Sequence, residues 1–336
     1  MTNESLKLND TGSFFLLKPA GQDYLWGGSR LKDDFGKNLP QTPLAETWEC
    51  STHENGLSVV DSGEHAGRTL KNVLKEHPEM LGRHANRNGD IPILIKLIDA
   101  KEDLSVQVHP DDEFARTFEN GSLGKTEMWY ILDAEKDSEI IYGFSRKTTP
   151  EEVGESLSDG SFPSLLQHYP IEKNQVYYVS PGTVHAVGKG ALIAEVQENS
   201  DITYRMYDYD RVDKNGKKRD LHIKKALKIL DYEPKSEPRQ PIRVLRYTPG
   251  CASEILCRCK YFQAERLLIN TGDYNKSMNL SALPETFQVL LCIRGRAVMT
   301  GCGIEVPVQK GDCVFLPAGK YETVIQGEAD FVKVRC

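Results

Sequence analysis

Two stretches of this sequence, IEKNQVYYVSPGTVHAV (171–187) and VQKGDCVFLPAGKYETV (308–324), align with each other without a gap. They share Lys, Gly and Val at matching positions, and their apolar residues keep the same phase. Each reads as a strand, a Gly-containing turn and a second strand. Upstream, TEMWYIL (126–132) and FQVLLCI (287–293) repeat in the same order. The sequence therefore predicts a duplicated small β-barrel, with coincidence between two β-rich segments as the alternative.

Helical periodicity interrupts this β pattern only in the first two thirds of the chain. Four stretches have apolar residues at helical spacing, namely residues 68–81, 111–118, 149–167 and 220–230. The proline-rich, charged segment DYEPKSEPRQP (231–241) favours a linker. We therefore predict a larger domain over residues 1–235, which carries the helices, and a smaller β domain over residues 242–336.

The composition is that of a globular protein. Hydrophobic residues make up 39% of the 336 residues, and 42 Lys and Arg against 49 Asp and Glu give a net charge of −7. This charge offers no general attraction to nucleic acid or to an anionic membrane surface. The sequence shows neither a membrane-span pattern nor a signal-peptide pattern, so we expect a cytosolic protein. The eight cysteines form no C-x-x-C pair and are expected to be buried free thiols.

Polar residues occupy three of the predicted strands of the first repeat. Gln107 and His109 are two apart in LSVQVHPDD, so their side chains leave the same face of the strand. Glu127 begins an otherwise apolar strand and needs a partner there, and His185 follows the Pro-Gly turn. Two imidazoles, a carboxylate and an amide oxygen suit a borderline divalent cation such as Zn²⁺.

The second repeat lacks one of these imidazoles. Gln288 stands at the position of Glu127, and Glu322 stands at the position of His185. We therefore expect one metal ion per chain, bound in the first barrel. A single strand histidine is more often a hydrogen-bonded core residue than a ligand, so this prediction depends on the combination of residues.

Six motifs resemble, in family order, those of type I mannose-6-phosphate isomerases in their short bacterial form. They are YLWGG (24–28), AETWECS (45–51), PILIKLIDAKEDLSVQVHPDD (92–112), GKTEMWYIL (124–132), PGTVHAVGKGALIAEVQENSD (181–201) and TYRMYDYDR (203–211). The resemblance implies a mainly β protein with a cupin-type, jelly-roll-like double β-barrel and additional helices in its N-terminal half. It also implies one Zn²⁺ and the interconversion of mannose 6-phosphate and fructose 6-phosphate. After residue 241 only the cupin-like strand pattern is similar.

The resemblance also carries site residues, position by position. The family's zinc ligands fall on Gln107, His109, Glu127 and His185. Its other active-site positions fall on Lys96, Lys125, Asp201 and Arg205. No substitution interrupts the ligand set.

The two lysines have physical alternatives. Lys125 lies two residues before Glu127 and therefore on the same strand face, near the expected metal, whereas a solvated lysine at a strand start is the alternative. Lys96 interrupts the apolar run ILIKLI, where burial requires a counter-ion or a ligand. A substrate phosphate, Glu49 or another structural carboxylate would meet that requirement.

Arg205 is expected to bind the phosphate by paired hydrogen bonds or to stabilise charge on the enediolate. The alternative is a structural ion pair with Asp208 or Asp210. Ser105, on the strand face of Gln107, is a candidate phosphate donor, and a surface hydroxyl is its alternative.

The sequence leaves open which group moves the proton between C1 and C2 of the sugar. Lys125, Asp201, Glu195 and a metal-bound water are the candidates, and Glu195 is otherwise expected to bind substrate. Cupin-like barrels also serve as Fe(II) oxygenases and as sugar-phosphate-binding modules, so the fold alone does not give the reaction. An oxygenase would use the two histidines and the carboxylate if Gln107 did not bind.

Overall fold

The structure is a computed structural model that describes residues 14–336 except 214, 237, 239–242 and 273–276. Its strands, numbered in chain order, begin with β1 (Phe15–Lys18), β2 (Ala20–Gln22), β3 (Glu46–Cys50), β4 (Val59–Val60), β5 (Ile93–Asp99), β6 (Val106–Val108), β7 (Glu127–Ala134), β8 (Glu139–Phe144), β9 (Leu166–Pro170), β10 (Val176–Val179), β11 (His185–Val187), β12 (Ala191–Glu198) and β13 (Tyr204–Tyr207). The later strands are β14 (Arg246–Thr248), β15 (Cys251–Arg258), β16 (Gln263–Asn270), β17 (Met278–Ser281), β18 (Gln288–Gly301), β19 (Ile304–Gln309), β20 (Cys313–Leu316) and β21 (Glu322–Arg335).

The helices are few and short. They are α1 (Arg30–Asp33), α2 (Leu70–Glu76), α3 (Asp112–Phe118), α4 (Pro150–Asp159) and α5 (Ile223–Ile229), with 3-10 turns at Pro78–His84 and Phe162–Leu165. The mainly β prediction is confirmed, and these five α-helices lie in the part of the chain where helices were expected. No helix in the described ranges is long and apolar enough to cross a membrane.

Two antiparallel sheets form the first barrel. One has the strand order β10-β7-β12-β5-β3-β2, and the other has the order β13-β6-β11-β8-β9. Apolar side chains of both sheets, such as Trp129, Ile193 and Tyr142, pack together between them. The outer face of the five-stranded sheet packs against α4 and α5, through residues such as Val153 and Ala226.

The third sheet contains the strands after residue 245, in the order β14-β15-β16-β21-β18-β20-β1-β4, with β17 and β19 attached to β21 and β18. It has an apolar core of its own, which includes Leu290 and Phe331. Its strands β1 and β4 come from the N-terminal part of the chain, because Phe15 pairs with Phe315 and Leu17 with Val60. The division into domains over 1–235 and 242–336 stays a prediction.

The six-stranded sheet is covered on both faces. Ile95 and Tyr130 pack in a core shared with the third sheet, whereas Ile98 and Trp129 point to the inside of the first barrel. Burial of both faces explains why β5, β7 and β12 are nearly continuous apolar runs rather than alternating ones.

The predicted repeat has the same strand pairing in both copies. Glu127 pairs with Val179 and Tyr130 with Val176 in the first copy. The equivalent residues pair in the second copy, with Gln288 opposite Leu316 and Leu291 opposite Cys313. A one-residue slip in the first copy would exchange the side chains that pack in the two cores on either side of the sheet, so the shared register agrees with the packing of both faces.

Each of the four predicted helical stretches contains an α-helix, but three of them end or begin differently. The stretch 68–81 holds α2 only as far as Glu76, before the 3-10 turn that starts at Pro78. The stretch 149–167 holds α4 only as far as Asp159, because Gly160 adopts a left-handed backbone conformation with φ of 83°. The last stretch, predicted from residue 220, becomes helical at Ile223. The backbone carbonyl of Asp220 instead accepts a hydrogen bond from Arg205.

All eight cysteines are free thiols, as expected, and five of them are buried. The buried ones are Cys50, Cys251, Cys257, Cys292 and Cys313.

Candidate active site and metal centre

A cavity of about 250 Å³ opens between the two sheets of the first barrel. Its wall contains apolar and aromatic side chains together with ionisable groups. The lining residues are Tyr24, Trp26, Glu46, Trp48, Lys96, Ile98, Leu104, Ser105, Gln107, Lys125, Trp129, Val187, Glu195, Asp201, Thr203, Arg205 and Arg219. The predicted substrate-site residues Lys96, Ser105, Lys125, Glu195, Asp201 and Arg205 all lie on this wall.

His109, Glu127 and His185 form a buried cluster at the inner end of the strands. His109 follows β6, Glu127 begins β7 and His185 begins β11. One ligand atom from each residue lies within 4.8 Å of the others. The three residues are almost fully buried, with exposed fractions of 1%, 0% and 1% in chain order.

The hydrogen bonds of the two imidazoles fix their tautomers. Nδ1 of His109 lies 2.7 Å from the carbonyl oxygen of Ile202, and Nδ1 of His185 lies 2.8 Å from that of Thr183. Each Nδ1 must therefore carry the proton, which leaves a lone pair on each Nε2. The two Nε2 atoms face each other at 3.1 Å.

The carboxylate of Glu127 places a third hydrogen-bond acceptor beside the two Nε2 atoms. Its Oε1 is buried and has no hydrogen-bond partner in the described part of the chain. It lies 3.2 Å from Nε2 of His185, which has no proton to donate in this tautomer. Three converging buried acceptors are costly unless a cation lies between them. The donor set of two imidazole nitrogens and a carboxylate therefore fits a divalent metal.

Lys125 contributes positive charge beside this cluster. Its ammonium donates to Oε2 of Glu127 and lies 3.1 Å from Nε2 of His109. Burial alone would raise the pKa of Glu127, but the Lys125 ammonium holds it well below its usual range. Burial, aided by Lys125, holds the pKa of His109 well below its usual value. Both groups are thus in the protonation states that a metal requires of its ligands.

Gln107 lies beside the cluster on β6. It pairs with His185 on one side and with Arg205 on the other. The hydroxyl of Ser105 lies 3.5 Å from its Oε1. Its position at the cavity wall agrees with the expected role, and its coordination of a metal stays a prediction.

Lys96 is buried between the carboxylates of Glu46 and Glu195, and not beside Glu49. Its Nζ lies 3.3 Å from Glu195 and 3.5 Å from Glu46, and 5.1 Å above the ring centre of Trp48. Burial alone would lower the pKa of Lys96, but the two carboxylates raise it above its ordinary value. Glu49 instead pairs with Lys37 at 2.6 Å.

Glu195 is held from two sides. Its Oε1 accepts a hydrogen bond of 3.0 Å from Nε1 of Trp129, while its Oε2 faces Lys96. Burial raises the pKa of this carboxyl despite the nearby lysines.

The environment of Asp201 lowers the pKa of its carboxyl group, whereas that of Glu195 raises it. It lies 3.3 Å from Nε2 of His53, and it accepts a hydrogen bond from Asn55. The hydrogen bond with His53, partly opposed by burial, lowers the pKa of Asp201 to about 2.

Arg205 faces the cavity without a counter-ion. Its Nε donates to Ser105 Oγ at 3.3 Å and its Nη1 to the carbonyl oxygen of Asp220 at 2.9 Å. Within the described residues it forms no ion pair, so the structural alternative with Asp208 or Asp210 is wrong. Burial, followed by the nearby charge of Arg219, lowers the pKa of Arg205.

Asp208 and Asp210 are occupied by other cations. Asp208 accepts two hydrogen bonds from Arg219, at 2.8 Å and 2.6 Å, and one from Arg211 at 2.5 Å. Asp210 pairs with Lys218. Two arginines on one carboxylate, with Arg205 beside them, leave this end of the cavity positively charged.

Several residues of the cavity wall were not singled out in the sequence, among them Tyr24, Glu46, Trp48 and Arg219. Tyr24, Glu46 and Trp48 lie in quoted motifs, and the alternation of Glu46 and Trp48 around Thr47 is a signal that could have assigned both to one strand face. Arg219 lies in the charged run KKRD, which is indistinguishable from a solvated loop until the chain has folded.

The chain matches two family models and several known proteins. Residues 14–145 match the model of the catalytic domain of type I phosphomannose isomerase, and residues 258–336 match that of the cupin domain of mannose-6-phosphate isomerase. A relative named mannose-6-phosphate isomerase ManA, from Bacillus subtilis, is 39% identical over 94% of this chain and 96% of its own length. A Streptococcus mutans mannose-6-phosphate isomerase is 43% identical over 87% of this chain and 89% of its own. The crystal structure of a mannose 6-phosphate isomerase from Bacillus subtilis superposes with a TM-score of 0.87 at 35% identity, covering 96% of this chain and 99% of that one.

Proposed function

The chain belongs to the type I mannose-6-phosphate isomerase family, and from that membership we propose that it interconverts mannose 6-phosphate and fructose 6-phosphate. The reaction moves a proton between C1 and C2 of the open-chain sugar through an enediol or enediolate. Family membership favours this isomerase over an Fe(II) oxygenase or a non-catalytic sugar-phosphate-binding module.

One observation carries the proposal within the site. The cavity wall holds Gln107 and Lys125, which adjoin the buried cluster of cation ligands, and it also holds Arg205, which forms no ion pair within the described residues. A sugar phosphate has matching ends, because its carbonyl and hydroxyl oxygens bind metal ions and its phosphate binds guanidinium groups.

We assign a single Zn²⁺ to His109, Glu127 and His185, with Gln107 as the fourth ligand. This assignment is supported by the two Nε2 lone pairs and the unpaired Oε1 of Glu127. When bound, the ion supplies a Lewis acid that stabilises negative charge on the enediolate oxygens. A redox-inert ion suits a reaction without net oxidation.

Arg205 binds the phosphate in this proposal. Its planar fork of N–H donors matches phosphate oxygens, and Ser105 Oγ lies at hydrogen-bonding distance from its Nε. Arg219, fixed by Asp208, adds charge to the same end of the cavity.

The two carboxylates of the cavity divide the remaining work according to their pKa values. Asp201, with a pKa of about 2, is too weak a base to take a carbon-bound proton efficiently and instead orients sugar hydroxyl groups. Burial raises the pKa of Glu195 toward the working range of a base. Lys125 donates a hydrogen bond to the oxygen that becomes negative, and Lys96 keeps Glu195 in place.

The test is incubation of purified protein of measured metal content with mannose 6-phosphate, followed by an assay for ketose phosphate. We expect turnover, one zinc per chain, loss of activity with a chelator while the β-sheet spectrum persists, and recovery with zinc. No turnover by metal-loaded protein, or two metal ions per chain, would contradict the proposal. Iron with oxygen consumption would indicate the oxygenase, and binding without turnover would indicate the binding module.

A cytoplasmic location is proposed with the substrate. Phosphorylated sugars carry charge and do not cross an apolar bilayer unaided. An enzyme that acts on them therefore works in the compartment where they are formed.

A further inference from the structure

The backbone that leads into strand β7 is held from the side opposite to the cavity. Because side chains alternate along an extended chain, Lys125 and Glu127 point to the cavity and Thr126 points away from it. The backbone N–H of Thr126 donates to Oε2 of Glu198 at 2.7 Å, and the N–H of Glu198 donates to the carbonyl oxygen of Thr126 at 3.1 Å. Thr126 and Glu198 are both buried, each with an exposed fraction of 1%.

A second carboxyl holds the same segment two residues earlier. The N–H of Gly124 donates to Oδ1 of Asp112 at 3.1 Å. The carboxyl groups of Asp112 and Glu198 lie close enough to affect each other's pKa, and burial beside Asp112 favours a proton on Glu198. The pair therefore holds both Gly124 and Thr126, the neighbours of Lys125 in the chain.

The C-terminal part of the chain reaches this pair through one hydroxyl. Tyr261, in the turn between β15 and β16, donates to Oδ2 of Asp112 at 2.9 Å. The turn itself is closed by a hydrogen bond of 3.0 Å from Cys259 N–H to the carbonyl oxygen of Phe262. Lys260 lies 3.6 Å from the same Oδ2 but is largely exposed.

We propose that the Asp112–Glu198 carboxyl pair, fixed by Tyr261, is a positioning device that places Lys125 for catalysis and through which the C-terminal part of the chain affects turnover. The inference rests on the proposed function, because it assigns Lys125 to the reacting end of the sugar. None of the three residues lines the cavity, so they act through the backbone of residues 124–126. A catalytic group displaced by about 1 Å can lose as much as ~10²-fold in rate, so such support has a kinetic effect.

The proton of this pair makes the device sensitive to pH. Burial, together with the neighbouring Asp112, raises the pKa of Glu198 to about 7. The groups that face the pair are Thr126, Tyr178, Lys260 and Tyr261. Below pH 7 the pair keeps one proton, so the two carboxyl groups do not repel each other. Above pH 7 two adjacent carboxylates repel each other. Their separation weakens the hydrogen bonds that they accept from the N–H groups of Gly124 and Thr126.

The test compares four variants with the wild type in kcat, KM, metal content and the pH profile of kcat on mannose 6-phosphate. Glu198→Gln keeps a donor for Asp112 and an acceptor for the Thr126 N–H, but it cannot ionise. Glu198→Ala removes the side-chain interactions with Asp112 and with the Thr126 N–H. Tyr261→Phe removes only the hydroxyl, and Tyr321→Phe is its matched control, since the Tyr321 hydroxyl donates to Pro317 within the C-terminal part.

We expect Glu198→Ala to lose about 10-fold or more in kcat, with full metal content and KM within about 2-fold. Tyr261→Phe should lose about 3-fold while Tyr321→Phe keeps wild-type kcat. Glu198→Gln should match the wild type at pH 6.5 and lack its decline above pH 7. A merely structural pair would lower thermal stability without altering the pH profile.

Two results would overturn the inference. One is the same pH profile for Glu198→Gln and the wild type, and the other is equal kcat for Tyr261→Phe and Tyr321→Phe. Neither outcome depends on Glu198→Ala folding well. Failure of the proposed function is distinguishable, because then the wild type itself would not convert mannose 6-phosphate.

Discussion

His109 and His185 are ordinary strand histidines in sequence, and their chemical role comes from what holds their far nitrogens. A carbonyl oxygen binds each Nδ1, so each Nε2 is left as an acceptor at the same buried point. Such fixing of the tautomer by a second partner is typical of metal-ligating histidines.

Removal of either imidazole should remove the metal. We expect His109→Ala and His185→Ala each to lose bound metal, because the three remaining ligands include only one imidazole and no longer form a tetrahedral set. Gln107→Ala should weaken binding less, since a neutral amide oxygen is the poorest of the four ligands. Metal content after dialysis against a weak chelator measures this. Equal metal loss in Gln107→Ala and His185→Ala would contradict the ranking.

Arg205→Ala should keep the fold and the metal but lose at least ~10²-fold in kcat/KM, because the phosphate loses its charged, planar partner while the metal ligands stay in place. Arg205→Lys should recover only part of this, because a point charge does not reproduce the planar fork. The matched control is Arg146→Ala, which removes an exposed arginine that pairs with Glu152. Near-normal turnover by metal-loaded Arg205→Ala would show that this arginine is structural.

The sequence was most informative where chemistry needs rare residue types on otherwise apolar strands. Glu127 and His185 stood out because a buried carboxylate or imidazole on such a face needs a partner. The partners of Lys96 could not be predicted, because Glu46 and Glu195 are far away in sequence and meet Lys96 only when β3 and β12 pair with β5. Arg219 was missed for the same reason.

At the scale of elements, the strands were predictable because their apolar phase agrees with their pairing. The two copies of the repeat share one register although few residues are identical. Helix ends were less predictable. The stretch 68–81 is interrupted at Pro78, which has no N–H to continue α2 and begins a separate 3-10 turn.

The start of helix α4 allows a test of how much one capping side chain contributes to stability. The Thr149 hydroxyl accepts a hydrogen bond of 3.2 Å from the N–H of Glu152 at the start of the helix. Thr149→Ala should therefore lower the free energy of unfolding by about 1 kcal/mol and leave kcat unchanged. Thr117→Ala, at an exposed position within α3, is the control and should cost less, since Ala favours helix. Denaturant titration of both variants measures the two free energies of unfolding. Equal losses in the two variants would show that the Thr149 hydroxyl does not stabilise the start of α4.

At the scale of the whole molecule, the two parts of the chain share one apolar core. This core contains Ile95 and Tyr130 of the six-stranded sheet together with Phe287 and Val332 of the third sheet. The N-terminal strand β1 also joins the third sheet directly. Composition and the proline-rich segment could indicate a linker, but this exchange of strands depends on long-range pairing that no local pattern specifies.

A shared core predicts that the metal centre and the C-terminal sheet unfold together. Phe315 stacks on Phe15 at 5.4 Å and on Phe287 at 5.3 Å between ring centres, and all three rings belong to the shared core. Phe315→Ala should cost about 3–5 kcal/mol through lost contacts and a cavity. Because the lost packing belongs to both parts, release of the metal and loss of the β-sheet signal should move together to lower denaturant concentration. Phe118→Ala, whose side chain is exposed, should leave both transitions in place. If metal release kept its wild-type midpoint in Phe315→Ala while the rest of the signal shifted, the first barrel would be stable by itself and the shared core would be only a contact between independent domains.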